Sequence, residues 1–301
     1  MPDINAWRLA YPGTVFDFGT LANDYPFQTQ VEIGDTDSDV QDQRHPTSDG
    51  TVMGIDSLGG FPLTFDITTI PEFPIPDEPW NVALDLFSAM KAAWRADAVR
   101  QTPGAYATMT NLNRNRMVYG RPRKIAPKMS RLRKGFIGVV ATFETNDPNF
   151  YDATEKLAII TPVPPPAGGF TAPLTPPLST AGSAAEIAAT NNEGDLAAWP
   201  VIKFHGPGTF FSLSLLDGLG HALWTVTAVG QINFDQIMTI DTRPWARSAT
   251  INGGPANGRL RGTALEQCRI PVGEFTLQFK VSDSSGTAFA DIRWRDAYAS
   301  L

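Results

Sequence analysis

The residues best suited to nucleophilic or metal chemistry in this 301-residue chain are three histidines, His45, His205 and His221, and one cysteine, Cys268. The histidines lie beside prolines, glycines or strand ends, and none has a partner at metal-ligand spacing. A lone cysteine forms neither an internal disulfide nor a thiolate cluster. Cys268 reads as a small buried apolar residue in a reducing compartment. No G-x-S-x-G elbow occurs, and no glycine-rich phosphate loop opens a helix. The acidic run GDTDSDVQDQRHPTSDG (34–50) spaces Asp35, Asp37, Asp39 and Asp42 as a calcium loop would. Such a loop needs Gly at its sixth position and Glu at its twelfth. Counted from Asp35, those positions hold Val40 and Pro46, so a solvated loop is expected. Glycoside hydrolysis needs two facing carboxylates, and no stretch singles out a pair. The chain is therefore read as a non-enzyme with no catalytic residue, metal or cofactor. Four tryptophans, Trp199, Trp224, Trp245 and Trp294, fall after residue 190. Trp199 and Trp294 read as core. Trp245 follows DTRP at a loop, where an aromatic ring can stack on a sugar, and is the candidate sugar contact.

The net charge of −7 conceals a strong asymmetry. Residues 1–90 hold 15 acids and 2 bases, whereas residues 91–135 hold 12 bases and 1 acid. Two surfaces of opposite sign are expected, mating within the domain or between copies. Arg121, Arg123, Lys124, Arg131, Arg133 and Lys134 are the candidate inter-subunit basic face. A nucleic-acid groove is the other reading of a basic segment. Aromatics are scarce there, with Tyr106, Tyr119 and Phe136 only, where single-strand binders interleave stacking rings. Solvated strand faces are the plain alternative. The N-terminal MPDINAWRLAYPG has no basic n-region and no apolar core, so no secretory leader is expected. No apolar run approaches the 18 residues of a membrane span.

Pro and Gly number 25 and 26, which favours short strands with frequent turns. Residues 14–33 alternate as strands do, with a turn at Asn23-Asp24. The spacing of Ala83, Phe87, Met90 and Trp94 predicts one helix over about 79–97. Pro79 suits its first position, and Lys91 and Arg95 suit its end. The irregular KMSRLRKG (128–135) is expected as a loop or exposed edge. Seven prolines in 162–184 mark an extended tether. Beyond it, eight short strands are predicted over 199–205, 210–216, 222–229, 236–242, 247–252, 259–265, 274–282 and 287–296. Their turns, DGLG, NGGPANG and DSSG, argue for a β-sandwich or jelly roll. The expected organisation is a domain at 1–157, a linker at 158–190 and a second domain at 191–301.

Taken in order, VQDQRHPTSDGTVMGIDSLGGFPLTFDI, FETNDPNFYD, EGDLAAWPVIKFHGPG, MTIDTRPWARSATING, VGEFTLQF and WRDAY give the chain a family likeness. It resembles the distal tail proteins, or minor tail proteins, of long-tailed phages, those of actinobacteria in particular. The resemblance implies a mainly β protein. Its first domain would be a tail-tube-like β-sandwich or half-barrel with one flanking helix, and its second a galectin-like or carbohydrate-binding-module-like sandwich. It implies six copies in a ring at the virion tail tip, between the tail tube protein and the tail-tip proteins, made in the host cytoplasm. DNA would pass through the ring without specific binding, which favours an acidic lining. Asp35, Asp37 and Asp39 are the candidate channel-lining acids. The alternative is an adhesin or carbohydrate-binding module that contacts a host cell-wall glycan.

Overall fold

A computed structural model describes residues 6–20, 22, 24–26, 31–45, 47–70, 78–162, 186–283 and 285–301. The chain divides into two compact units, Met1–Ala153 with Ala299–Leu301, and Thr154–Tyr298. The described structure is mainly β, with one α-helix longer than a single turn.

The first unit begins with two antiparallel strands, β1 (Trp7–Tyr11) and β2 (Thr14–Phe18). Five short strands follow: β3 (Glu32–Ile33), β4 (Ser38–Asp39), β5 (Gln43–Arg44), β6 (Thr51–Val52) and β7 (Ser57–Leu58). The wall is completed by β8 (Pro62–Thr69), β9 (Ala107–Asn111), β10 (Arg116–Lys128), β11 (Ile137–Thr145) and β12 (Phe150–Asp152). The sheet runs β2-β1-β9-β10-β11-β8-β3, and β12 pairs with β10. In a flat sheet, strands spaced about 4.8 Å apart would set β2 and β8 roughly 24 Å from each other. Yet the rings of Phe18 on β2 and Phe65 on β8 lie 5.1 Å apart, and Trp7 on β1 lies 5.2 Å from Phe65. The sheet is therefore curled upon itself, which is the half-barrel the resemblance implies.

Helix α1 (Pro79–Arg95) closes this trough, with Pro79 in its first turn. Ala83, Phe87, Met90 and Trp94 are all buried, as their spacing requires. Trp94 meets Phe18 and Phe65 edge-on, and its indole N–H donates to the Thr142 carbonyl at 3.3 Å. Two tyrosine hydroxyls pin the helix backbone: Tyr11 donates to Ala93 O at 2.7 Å and Tyr25 to Leu86 O at 3.0 Å. The helix ends two residues earlier than the sequence indicates. Ala96 turns into the left-handed region (φ 45°), and Asp97–Arg100 forms a separate turn, α2.

Two expectations for this unit are corrected. Residues 129–134 form a 3-10 helix, Met129–Lys134, closed by Gly135 at φ 81°. Within the acidic stretch 34–50, where a loop is expected, Ser38–Asp39 and Gln43–Arg44 pair in short ladders of a β arm, described below. The predicted alternation over residues 27–30 and the turn residue Asn23 lie outside the described residues.

The second unit is a sandwich of two sheets. One runs β13 (Lys156–Ile160), β23 (Phe289–Trp294), β15 (Val201–His205), β18 (Ile237–Asp241), β19 (Ser248–Ile251), β20 (Gly254–Pro255). The other runs β14 (Glu186–Asn192), β22 (Gly273–Val281), β16 (Gly208–Leu216), β17 (Ala222–Ile232), β21 (Leu260–Gly262). A short β24 (Ala297–Tyr298) ends the unit. Phe204 of the first sheet stacks on Phe211 and Phe279 of the second, at 5.5 and 5.9 Å, and Phe275 meets Trp294 at 5.7 Å. All eight predicted strands are present within a few residues. Two more, β13 and β14, fall where the sequence places the tether and the end of the first domain. Both are edge strands and both belong to this unit, because each has a full antiparallel partner, β23 and β22 respectively. The proline-rich residues 163–185 lie outside the described residues.

Cys268 is fully buried, and burial pushes its thiol up to about 12. It donates weakly to Ala264 O at 3.4 Å, as a small core residue would. A buried carboxylate, Asp296, ties the sandwich edge. It accepts from the Trp294 indole N–H at 3.2 Å and pairs with Lys156 Nζ at 2.7 Å. Lys156 also reaches Glu193 at 3.4 Å and the Asn191 carbonyl at 3.1 Å.

Two stability outcomes follow from these cores. Trp94→Ala is expected to destabilise the first unit by about 3–5 kcal/mol in denaturant unfolding, the range for emptying a large aromatic site. Lys156→Met leaves Asp296 buried beside no cation. The second unit should lose about 2–3 kcal/mol, less than for a fully buried pair because Lys156 is part-exposed. Adding Asp296→Asn should recover most of that loss in the same measurement.

Candidate assembly surface

The arm is built by three nested ladders. At its root β3 pairs with β8, Glu32 opposite Thr64 and Ile33 opposite Leu63. Further out, β4 pairs with β7, Ser38 opposite Leu58. Beyond that, β5 pairs with β6, Gln43 opposite Val52, a slip of one residue between the two outer ladders. Gly59 N–H to Asp37 O (2.7 Å), Gly54 N–H to Asp42 Oδ1 (2.9 Å) and His45 N–H to Gly50 O (3.2 Å) carry the pairing towards the tip. Gly54 is required at the slip, since a Cβ there would stand 2.2 Å from the Gln41 carbonyl oxygen.

This arm has no core. Every described residue from 37 to 58 is exposed. Among them are Val40, Val52, Met53 (76%), Ile55 (80%) and Leu58. A two-stranded hairpin alone in water is marginal at best, because it buries too little to offset its ordering. Residues 32–58 also carry seven acids and one arginine. The arm is thus an acidic ladder edged with uncovered aliphatic groups. Asp35, Asp37 and Asp39 lie near its root, all exposed and in no ion pair among the described residues.

The opposite sign lies on the same unit. Within the irregularity between Pro122 and Ile125, β10 presents Arg123 and Lys124 to solvent, and the 3-10 helix presents Arg131, Arg133 and Lys134. None of these five cations has an ion-pair partner among the described residues. Arg121 differs from them. Its guanidinium caps the turn after α2, donating to Ala105 O at 2.6 and 2.8 Å and to Thr102 O at 2.9 Å. It is held by carbonyls of its own unit, which sets it apart from the other five candidate cations. Lys128, between the two groups, contacts Asp66 at 3.4 Å. The exposed aliphatics of the arm were not nominated from sequence. Their only trace is the run TVMGIDSL (51–58), rich in apolar residues between glycines and acids.

In the second unit Trp245 sits in the turn after β18 and is half-buried. The Arg243 guanidinium lies over its ring, 5.6 Å from the centroid, and is itself held by Asp241. One side of the indole is therefore already occupied by a cation. His205 is bonded to Asp291 at 2.7 Å and stacked on Phe289, while His221 contacts Asp217. No group of three or more His, Cys, Asp or Glu is placed to hold a metal among the described residues. No described helix is long and apolar enough to cross a membrane.

No protein-family model matches the chain, and no curated protein does. Solved structures do match. The Dit protein of phage SPP1, described as a paradigm of the hub adsorption apparatus in phages that infect Gram-positive bacteria, superposes with a TM-score of 0.59 at 15% identity. The match covers 97% of this chain and 98% of that one. The phage P2 baseplate in its activated conformation with Ca matches with a TM-score of 0.52 at 13% identity, over 96% of this chain and 97% of that one. The chain shares the fold of these hub and baseplate proteins over nearly its whole length.

Proposed function

We propose that this chain is a distal tail, or baseplate hub, protein of a long-tailed phage, a structural component of the virion tail tip. The observation that carries the reading is the end-to-end fold likeness to a phage hub protein and a phage baseplate. The role is architectural, with no catalytic step. Copies of the chain close into a ring, six by the family resemblance, that joins the tail tube protein above to the tip proteins below. Ring closure is head-to-tail, so each copy presents two different surfaces. The arm and the five-cation face supply them. Val52, Met53 and Ile55, with Asp42, Asp49 and Asp56, lie on the neighbour's Arg123, Lys124, Arg131, Arg133 and Lys134. Contact there covers the arm's apolar groups and neutralises both charge excesses. Asp35, Asp37 and Asp39, at the arm's root, face the channel, where an acidic wall repels the phosphate backbone and lets DNA slide.

The test is antibody labelling of intact virions together with the mass of the purified protein by light scattering. Label at the tail tip supports the hub, and label elsewhere overturns it. At low salt the protein should assemble into rings with a central hole in negative stain. Arg131→Glu with Arg133→Glu should reduce ring formation at least tenfold. Raising salt from 0.15 to 1 M, which shortens the screening length from about 8 to 3 Å, should weaken the wild-type ring in the same direction. Rings indifferent to both charge reversal and salt would sink the proposed interface while leaving the hub reading intact.

A further inference from the structure

Asp147 is a buried carboxylate that takes no part in the proposed assembly surface. It is 4% exposed, on the turn between β11 and β12, close before the second unit begins at Thr154. The Tyr151 hydroxyl donates to its Oδ2 in a short hydrogen bond, the Asn149 backbone N–H supports it, and its Oδ1 is buried with no hydrogen-bond partner. The turn itself is strapped down. Thr145 Oγ1 accepts from Phe61 N–H at 2.7 Å and donates to Asp147 O at 3.0 Å, while Asn146 N–H donates to Tyr119 O at 2.9 Å. Rings enclose the site: Tyr151 lies 5.4 Å from Tyr119, which lies 5.1 Å from Tyr106. The charged groups on the surrounding strands are engaged or part-exposed. Arg116 pairs with Asp152, Arg121 holds the 102–105 carbonyls, and Glu144 lies part-exposed on β11. No cation contributes to the state of Asp147.

We propose that Asp147, Tyr151 and the 146–149 turn form a proton-operated clasp at the end of the first unit. With Asp147 neutral, the turn and β12 are held closed. With Asp147 ionised, a charge lies buried without a counter-ion, and the segment opens more readily to hydrate it. Burial is the main cause, raising the Asp147 carboxyl from its ordinary 3.8 to about 7 against the pull of Tyr151 and Asn149. A group raised in the closed state gives stability that is full below pH 3.8. That stability falls as pH rises and is lost by about pH 7. The clasp thus tightens in mild acid and slackens towards neutrality, at the strand from which the chain passes into the second unit.

Hydrogen exchange of backbone amides 145–153 in the full chain tests this, at pH 5, 6, 7 and 8 with intrinsic rates corrected. The opening constant of the wild type should rise about tenfold per pH unit from 5 to 7 and level off above, in this segment alone. Asp147→Asn should remove that slope and protect the segment more than wild type at pH 7. Tyr151→Phe, which deletes a hydroxyl that favours the charged form, should move the plateau to higher pH, and serves if the first variant misfolds. A flat wild-type profile overturns the proposal, as does a slope kept in Asp147→Asn or one shared by every peptide of the first unit.

Discussion

A two-stranded ladder that buries nothing of its own cannot hold its shape on backbone hydrogen bonds alone. In this molecule residues 37–58 form such a ladder, with aliphatic side chains on an acidic frame and every described position open to water. That imbalance is the constraint on which the functional reading depends. In the proposed assembly a neighbour's basic surface covers the arm and relieves that imbalance. The five unpaired cations of β10 and the following 3-10 helix offer such a surface within the same kind of unit.

The rest of the first unit reads as a mount for the arm. The sheet curls until Phe18 and Phe65, five strands apart, are in contact, and α1 seals the trough with Trp94. Tyr11 and Tyr25 fix the helix by its carbonyls rather than by its side chains. At the arm's root β3 is hydrogen-bonded to β8, a strand of this curled wall. The arm is therefore rigid where it leaves the unit and uncovered where it ends. The second unit follows another plan, two sheets with an aromatic seam; its buried Asp296 is matched by Lys156, and its buried Asp291 is bonded by His205 and Arg293.

What could be read from sequence depended on periodicity. The Ala83, Phe87, Met90 and Trp94 stripe locates α1 because a 3.6-residue repeat survives in any tertiary setting. Eight of the sandwich strands are legible because most of them alternate core and surface positions between clear turns. The arm was not legible, since its paired runs are two residues long and neither face is buried, so no alternation is selected. Lys156–Ile160, which the sequence divides between the end of the first domain and the linker, is obscured for a related reason. It is an edge strand with Leu157 and Ile159 exposed, and the adjoining prolines dominated the reading. Arg121 looked like its basic neighbours because sequence does not record the two carbonyls it serves. The likeness to distal tail proteins rests on ordered fragments, and the mainly β fold it implies is observed, shared at 13–15% identity with a hub protein and a baseplate.

The decisive measurement is a cryo-electron reconstruction of the intact tail tip. Met53 and Ile55 of each arm should be seated against a neighbouring copy, within contact distance of the surface that carries Arg131 and Arg133. Arms that project into solvent with those two side chains uncovered would contradict the proposed assembly.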